Sequence, residues 1–332
     1  MRKLLAVAGL ALAAVVVRGR LKVRDALPSV APELRSPLLP FTAVALTDRT
    51  LPVVRLLFRI PMRPGRGVTV VDRYVGGPPV RVSVTTPDKR TASGPALLWL
   101  HGGGYVVGTP ESEAAGAGQF ARELGAVVVS PDYRLAPEHP FPAGLDDCMA
   151  ALRWMRTNAD ELGIDANRIA VVGASAGGGM AAAVAQRSHD EGIPLRAQVL
   201  AYPMLDDRSV LRDDHAGRGR FAWTPESNLF GWTAYLSRAP RMSDAPEYAA
   251  PARREDLSGL APAWVGVGDL DLFYDEDVAY AERLKAAGVP CELVTVPGMY
   301  HGADGVARKA QSMMDFHAGI RKHLRAHLEL DA

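Results

Sequence analysis

Ile169-Ala-Val-Val-Gly173-Ala-Ser175-Ala-Gly177-Gly-Gly-Met180, followed by Ala181-Ala-Ala-Val-Ala-Gln186, decides the fold of this chain. An apolar run ends in glycine, a turn of small residues follows, and an alanine-rich run begins. That order reads as buried strand, tight turn and helix. Within the turn, Gly173-Ala174-Ser175-Ala176-Gly177 fits G-x-S-x-G, the pattern that lifts a serine hydroxyl above the end of a sheet. A serine held there has a strained backbone. Side chains two positions to either side would collide, so glycine is required at both. The same turn leaves the Ala176 N–H unpaired at a helix N-terminus, where the dipole favours negative charge. Two other glycine-rich turns are excluded. A dinucleotide loop requires glycine at 175, and a Walker loop requires Lys-Ser/Thr after its last glycine.

Working outward, apolar runs bounded by turns recur at Val68–Val75, Val80–Val84, Ala96–Leu100, Ala126–Ser130, Gln198–Tyr202, Ala263–Val267 and Glu292–Val296. With 169–173 they make eight strands. The first two alternate around Gly76-Gly-Pro-Pro79 and predict an antiparallel hairpin. Continuous runs such as Ala96-Leu-Leu-Trp-Leu100 predict strands covered on both faces. Helices are predicted over Glu111–Leu124, Leu145–Leu162, Asp275–Ala287 and Ala307–Leu328. The alternation implies an α/β fold with a mostly parallel eight-stranded sheet and helices on both faces.

Two regions break the alternation. Residues 21–67 are rich in proline and leucine, with a short helix expected within Val53–Ile60, and read as an irregular helical arm. Residues 206–250 carry Phe221, Trp223, Phe230, Trp232 and Tyr235 on a polar background. Lying after strand 198–202, they are expected to cover the end of the sheet where the serine opens, together with the arm. In the arm, Leu51, Val54, Leu57 and Phe58 form an apolar stripe that requires a partner. Residues 68–332 form the main domain, with 206–250 as a cap insertion.

The first twenty residues form a separate apolar segment. Arg2-Lys3 precede fourteen uncharged residues, Leu4–Val17, and Arg18 and Arg20 follow. The pattern is signal-like, but Ala11-Leu12-Ala13 lies inside the apolar run and makes a poor cleavage site. As a helix the run is about 21 Å long, against roughly 30 Å for a hydrocarbon core. It reads either as an uncleaved membrane-associating stretch or as an apolar helix packed on the protein. The chain is accordingly expected to be membrane-associated or cytoplasmic.

Composition narrows the partners. The 332 residues are 48% hydrophobic and 23% charged, with a net charge of +1. A nucleic-acid partner would demand a basic surface, so none is expected. Cys148 and Cys291 are the only cysteines. They lie far apart, in no metal-ligand spacing, and exclude a disulfide framework.

Candidate chemistry gathers on loops after strands. Strand 96–100 ends in His101-Gly102-Gly103-Gly104-Tyr105, whose glycines permit close backbone approach and offer N–H donors for a developing oxyanion. His101 itself is expected to hold this loop rather than to act as a base. Among eight histidines, His301 is placed best for a base, following strand 292–296 in Pro297-Gly-Met-Tyr-His301-Gly302. His139, His215, His317, His323 and His327 read as surface or core residues. The base needs an orienting carboxylate, and Asp269 and Asp271 both follow strand 263–267. Asp275, Glu276 and Asp277 open the next helix, where acidic residues act as caps.

His101-Gly-Gly-Gly104, Asp132-Tyr-Arg-Leu-Ala-Pro-Glu-His-Pro140-Phe-Pro-Ala143 and Gly173-Ala-Ser-Ala-Gly-Gly178 together resemble the hormone-sensitive-lipase-like esterases, bacterial family IV of the α/β-hydrolase fold. The resemblance covers about residues 68 to 320, with three motifs agreeing in order and spacing. It implies a helical cap made of N-terminal helices plus an insertion. It implies a triad of Ser175, Asp271 and His301, in the chain order of that fold. The family's Asp-x-x-x-Asp-Glu falls on Asp271, Asp275 and Glu276, which selects Asp271 over Asp269. Oxyanion donors fall among Gly102, Gly103 and Gly104, two of the three, together with Ala176. Glu138 and His139 are expected to brace their loop. Many members carry Asp before the serine, where this chain has Ala174, a residue on which the triad does not depend.

The implied function is serine carboxylesterase, acting on small-molecule esters of short to medium acyl chain through an acyl-enzyme. No metal or cofactor is implied. An amidase or deacetylase would use the same machinery. A non-catalytic receptor of this fold usually loses a triad member, and a membrane scaffold would leave the triad unexplained.

Overall fold

The structure, a computed structural model, describes residues 23–37, 39–42 and 45–330. The expectation for Leu4–Val17 lies outside these residues. Among those described, no helix is long and apolar enough to cross a membrane.

Eight strands form one sheet: β1 (Val68–Val75), β2 (Val80–Pro87), β3 (Gly94–Leu100), β4 (Val127–Pro131), β5 (Ile164–Ala174), β6 (Ala197–Ala201), β7 (Ala263–Gly268) and β8 (Cys291–Val296). Their order is β1-β2-β4-β3-β5-β6-β7-β8. β1 and β2 form the expected antiparallel hairpin, and β2 runs antiparallel to β4. The remaining neighbours are parallel. The fold is therefore the α/β-hydrolase fold with a mostly parallel sheet, as the sequence implies.

Seven helices matter here: α1 (Leu51–Phe58), α2 (Ala114–Leu124), α3 (Ala143–Thr157), α4 (Ala176–Asp190), α5 (Pro225–Leu236), α6 (Tyr274–Ala286) and α7 (Gln311–His327). Side-chain alternation on the strands divides the core into two layers. Val127 and Val129 of β4 and Val171 of β5 face Met149, Leu152, Val184 and Leu284 of α3, α4 and α6. Val128 and Val172 point the other way, toward Phe120, Leu124, Phe316 and Ile320 of α2 and α7. Burial on both sides explains the unbroken apolar runs.

Several boundaries differ from expectation. The helix predicted over 145–162 ends at Thr157, where the Asn158 side chain bonds the Trp154 carbonyl at 2.9 Å, and a separate turn covers Ala159–Leu162. The final helix starts at Gln311, not Ala307, because Ala310 is extended (ψ 140°). A separate turn, Ala303–Val306, precedes it. β5 begins five residues early, since Ile164 pairs with Gly94 across a register shift that Asp165, Asn167 and Arg168 conceal.

The arm is helical and irregular, as expected, with short turns at Leu27–Ser29, Pro32–Leu34 and Leu39–Thr42 before α1. It touches the insertion directly: Leu46 N–H bonds Ser227 Oγ at 2.9 Å and Ala222 N–H bonds Thr42 Oγ1 at 3.2 Å. The predicted apolar stripe needs correction. Leu51 is buried and Val54 half-buried, but Leu57 is 58% exposed and Phe58 39%. Leu57 turns outward because α1 is apolar on two faces, only one of which meets the body.

Candidate active site

Ser175 stands where β5 passes into α4. Its backbone adopts φ 57°, ψ −124°, outside the regions favoured by L-residues and costing on the order of 1–3 kcal/mol. The surroundings enforce it. A Cβ on Gly173 would drive into the carbonyl of Gly177, and one on Gly177 into the carbonyl of Leu100. Both glycines are thus fixed by backbone approach. Ser175 N–H bonds the Ala201 carbonyl at 2.9 Å, and the Ser175 carbonyl accepts from Met204 N–H at 3.0 Å. The elbow is tied to β6 on both sides.

The structure brings together the three side chains expected to meet. His301 Nε2 lies 2.8 Å from Ser175 Oγ, and His301 Nδ1 lies 2.8 Å from Asp271 Oδ2. An ionised carboxylate only accepts, so Nδ1 carries the proton and Nε2 accepts from the serine hydroxyl. Asp271 is fully buried, and its other oxygen accepts from Phe273 N–H at 3.0 Å. The rings of Tyr202 and Phe273 meet the His301 ring edgewise at 4.9 and 5.3 Å, fixing its plane. Asp269 does not touch His301. It accepts from Gly298 N–H at 2.7 Å and so ties the β7 loop to the loop that bears the histidine.

The glycine loop after β3 lies beside the serine: a methyl group built on Gly102 would sit 3.5 Å from Ser175 Cβ. Gly102 is a correction to the expected donor set. Its N–H donates to Glu113 Oε1 at 2.8 Å and is already engaged. Gly103 and Gly104 have φ of +123° and +60°, and no hydrogen bond occupies their N–H groups or that of Ala176 among the described residues. These three are the free donors.

Glu113 is the residue the sequence reading missed. Its second oxygen accepts from the Trp99 indole at 2.7 Å. Burial pushes its carboxyl up, against the bonds from Gly102 and Trp99 that favour the ionised form. Its only signal in the sequence was a place at the start of a helix beside the glycine loop. His101 does hold this loop. It stacks on Tyr133 at 4.1 Å, donates from Nδ1 to the Gly102 carbonyl at 2.9 Å, and is kept neutral by burial. Glu138 pairs with Arg55 of α1 at 2.6 and 2.7 Å, which lowers its carboxyl to about 2. His139 contributes a backbone bond to Leu135.

Of the insertion's aromatics, Trp223 reaches the site. Its ring lies where a side chain on Gly104 would be, 6.3 Å from the His301 ring, with the indole N–H held by Asn228 Oδ1 at 3.2 Å. Phe221 instead packs on Tyr300, and Trp232 is fully buried beside Tyr105 and Tyr235. Ser175 and His301 are 7% and 8% exposed, so the chemistry sits under cover. Cys148 and Cys291 are both free thiols.

The chain is similar to several known hydrolases. A family model described as the alpha/beta hydrolase fold matches residues 97–304. Esterase LipI of Mycobacterium tuberculosis is 37% identical over 262 residues, covering 76% of this chain and 80% of that protein. Carboxylesterase NlhH of the same species is 40% identical over 232 residues, 69% of this chain and 72% of the relative. Ethyl acetate hydrolase of Pseudomonas putida is 37% identical over 227 residues, 67% and 70% of the two chains. Among solved structures, a bacterial heroin esterase superposes with a TM-score of 0.83 at 35% identity, covering 91% of this chain and 99% of that one.

Proposed function

This chain belongs to the α/β-hydrolase family, in its hormone-sensitive-lipase-like branch, and hydrolyses carboxylic esters; on that premise we propose that Ser175, His301 and Asp271 carry the reaction through an acyl-enzyme. The observation that supports the reading is the unbroken relay from Ser175 Oγ through both nitrogens of His301 to a buried carboxylate. His301 Nε2 takes the hydroxyl proton as Ser175 Oγ bonds to the ester carbonyl carbon. The carbonyl oxygen becomes an anion held by the N–H groups of Gly103, Gly104 and Ala176, the last at the positive end of α4. The carbon–oxygen bond to the alcohol then breaks, and the leaving oxygen takes the proton from Nε2. Water repeats the cycle: His301 accepts its proton, its oxygen attacks the acyl carbon, and Ser175 is released with the acid. Asp271 stabilises the imidazolium formed in each half.

We infer short to medium acyl chains as the preferred substrates, with the insertion and arm acting as the cap. What supports this is Trp223, whose ring fills the space beside Gly104, next to the serine. A p-nitrophenyl ester series of increasing acyl length tests the proposal. Turnover is expected to peak at short to medium chains and to vanish in Ser175→Ala. An enzyme that leaves every ester intact and cleaves the matching N-acyl anilides would favour the amidase reading instead.

A further inference from the structure

We propose that the outward face of α1 docks on the surface of an anionic phospholipid bilayer. The helix carries two apolar stripes. Leu51 and Val54, with Arg55, turn toward the body. Arg55 is fixed there by bonds to the carbonyls of Val106 (2.8 Å) and Ala136 (2.9 Å) and by its pair with Glu138. Beyond the helix, Met62 N–H bonds the Glu111 carbonyl at 2.9 Å, so the segment is anchored at both ends. The second stripe is Val53, Leu56 and Leu57, on one side of the helix, continued by Ile60 just past its end. These residues are 62%, 66%, 58% and 61% exposed. Apolar faces on opposite sides of one surface helix are not needed for folding, and contiguous exposed apolar side chains mark a surface that meets something.

The charge around the stripe identifies the occupant. From residue 49 to residue 71 there are five arginines and no acidic residue. Arg55 is paired with Glu138. Arg49, Arg59, Arg63 and Arg66 are exposed, and none makes an ion pair among the described residues. An apolar face rimmed by arginine fits acyl chains below and anionic headgroups beside it. A second copy of this chain fits worse, because a two-fold contact would set Arg59 and Arg63 against their own copies. The leading segment points the same way. Leu4–Val17 is apolar and flanked by Arg2, Lys3, Arg18 and Arg20. The described residues begin at Val23, and Asp25 and Ala26 shortly after it line a cleft with Phe221 and Leu270. Two weak attachments in one chain give stable membrane binding where one gives only a reversible contact.

Sedimentation of the full chain with vesicles tests this. Parent protein is expected to pellet with phosphatidylcholine/phosphatidylglycerol vesicles and far less with phosphatidylcholine alone. Leu56→Gln/Ile60→Gln changes only exposed side chains and should lower binding to the mixed vesicles about tenfold or more. Its melting temperature and its hydrolysis of a water-soluble short ester should be unchanged. Three results would overturn the proposal: a parent that does not pellet with anionic vesicles, a double variant that binds like the parent, or a parent that is dimeric without lipid and made monomeric by the double substitution. The second would assign attachment to Leu4–Val17 alone, and the third would make the occupant a second copy.

Discussion

At the scale of single residues, two carboxylates near His301 have separate tasks. Asp271 bonds the imidazole, whereas Asp269 bonds the Gly298 backbone. Asp271→Asn is expected to lower kcat by up to ~10⁴, since the amide favours the wrong tautomer of the base. Asp269→Asn should act mainly on loop stability and leave most of kcat. The reverse ranking in steady-state assays would overturn the assignment. Glu113 gives a second prediction. Glutamine offers one acceptor oxygen where Gly102 N–H and the Trp99 indole both donate, so Glu113→Gln forces a donor against a donor. The glycine loop then shifts, and kcat is expected to fall by up to ~10² with KM little changed. An unchanged kcat would show that the loop holds its position without Glu113. Ser175 and its flanking glycines were legible in the sequence because the strained turn has a local pattern, although the clash at Gly177 comes from the Leu100 carbonyl on a neighbouring strand. Glu113 was not legible, since its role depends on the distance from a helix start to a loop eleven residues earlier.

At the scale of elements, the insertion divides into parts that meet the site and parts that pack in the core. Trp223 belongs to the first and Trp232 to the second. Trp223→Ala is expected to shift the kcat/KM ratio toward longer acyl esters, with about 1–3 kcal/mol of discrimination per added methylene. Trp232→Ala should leave that profile alone and cost about 3–5 kcal/mol of stability, as large core truncations do. If both variants keep the parent profile, the insertion is a structural flap. The sequence showed that aromatics cluster in 206–250 but not which of them face the serine. That depends on α5, whose start is set by Thr224 accepting from Ser227 N–H at 3.3 Å. The inner face of α1 was not legible for a related reason. A helix apolar all round contains more than one plausible inner face, and only the anchoring of Arg55 selects between them.

At the scale of the whole molecule, one mostly parallel sheet places the glycine loop, Ser175, Asp271 and His301. The glycine loop, the elbow, the Asp271 loop and the His301 loop follow β3, β5, β7 and β8, so all four open at the carboxyl end of the sheet. This was legible from strand order alone, because parallel neighbours leave few other arrangements. Helix ends were less so: residues 307–310 are compatible with helix, but Ala310 is extended and the helix begins after it. The C-terminal helix also carries a pH dependence. Burial, reinforced by neighbouring His327, pushes His323 down to about 4. Its unfolded form binds a proton near 6.5, so stability is complete above that pH and is lost as pH falls toward 4. The loss is on the order of 2–3 kcal/mol. His323→Gln is expected to flatten the fall in melting temperature between pH 6.5 and 4, and a slope equal to that of the parent would remove His323 as its source.

The central claim is that the hydroxyl on the strained turn is the nucleophile. Peptide mass spectrometry after reaction with a fluorophosphonate tests it most directly. The account predicts one phosphonyl adduct, on the peptide bearing Ser175, formed at the rate at which esterase activity is lost and absent in Ser175→Ala. An adduct on any other residue, or full labelling of the Ser175→Ala protein, would contradict it.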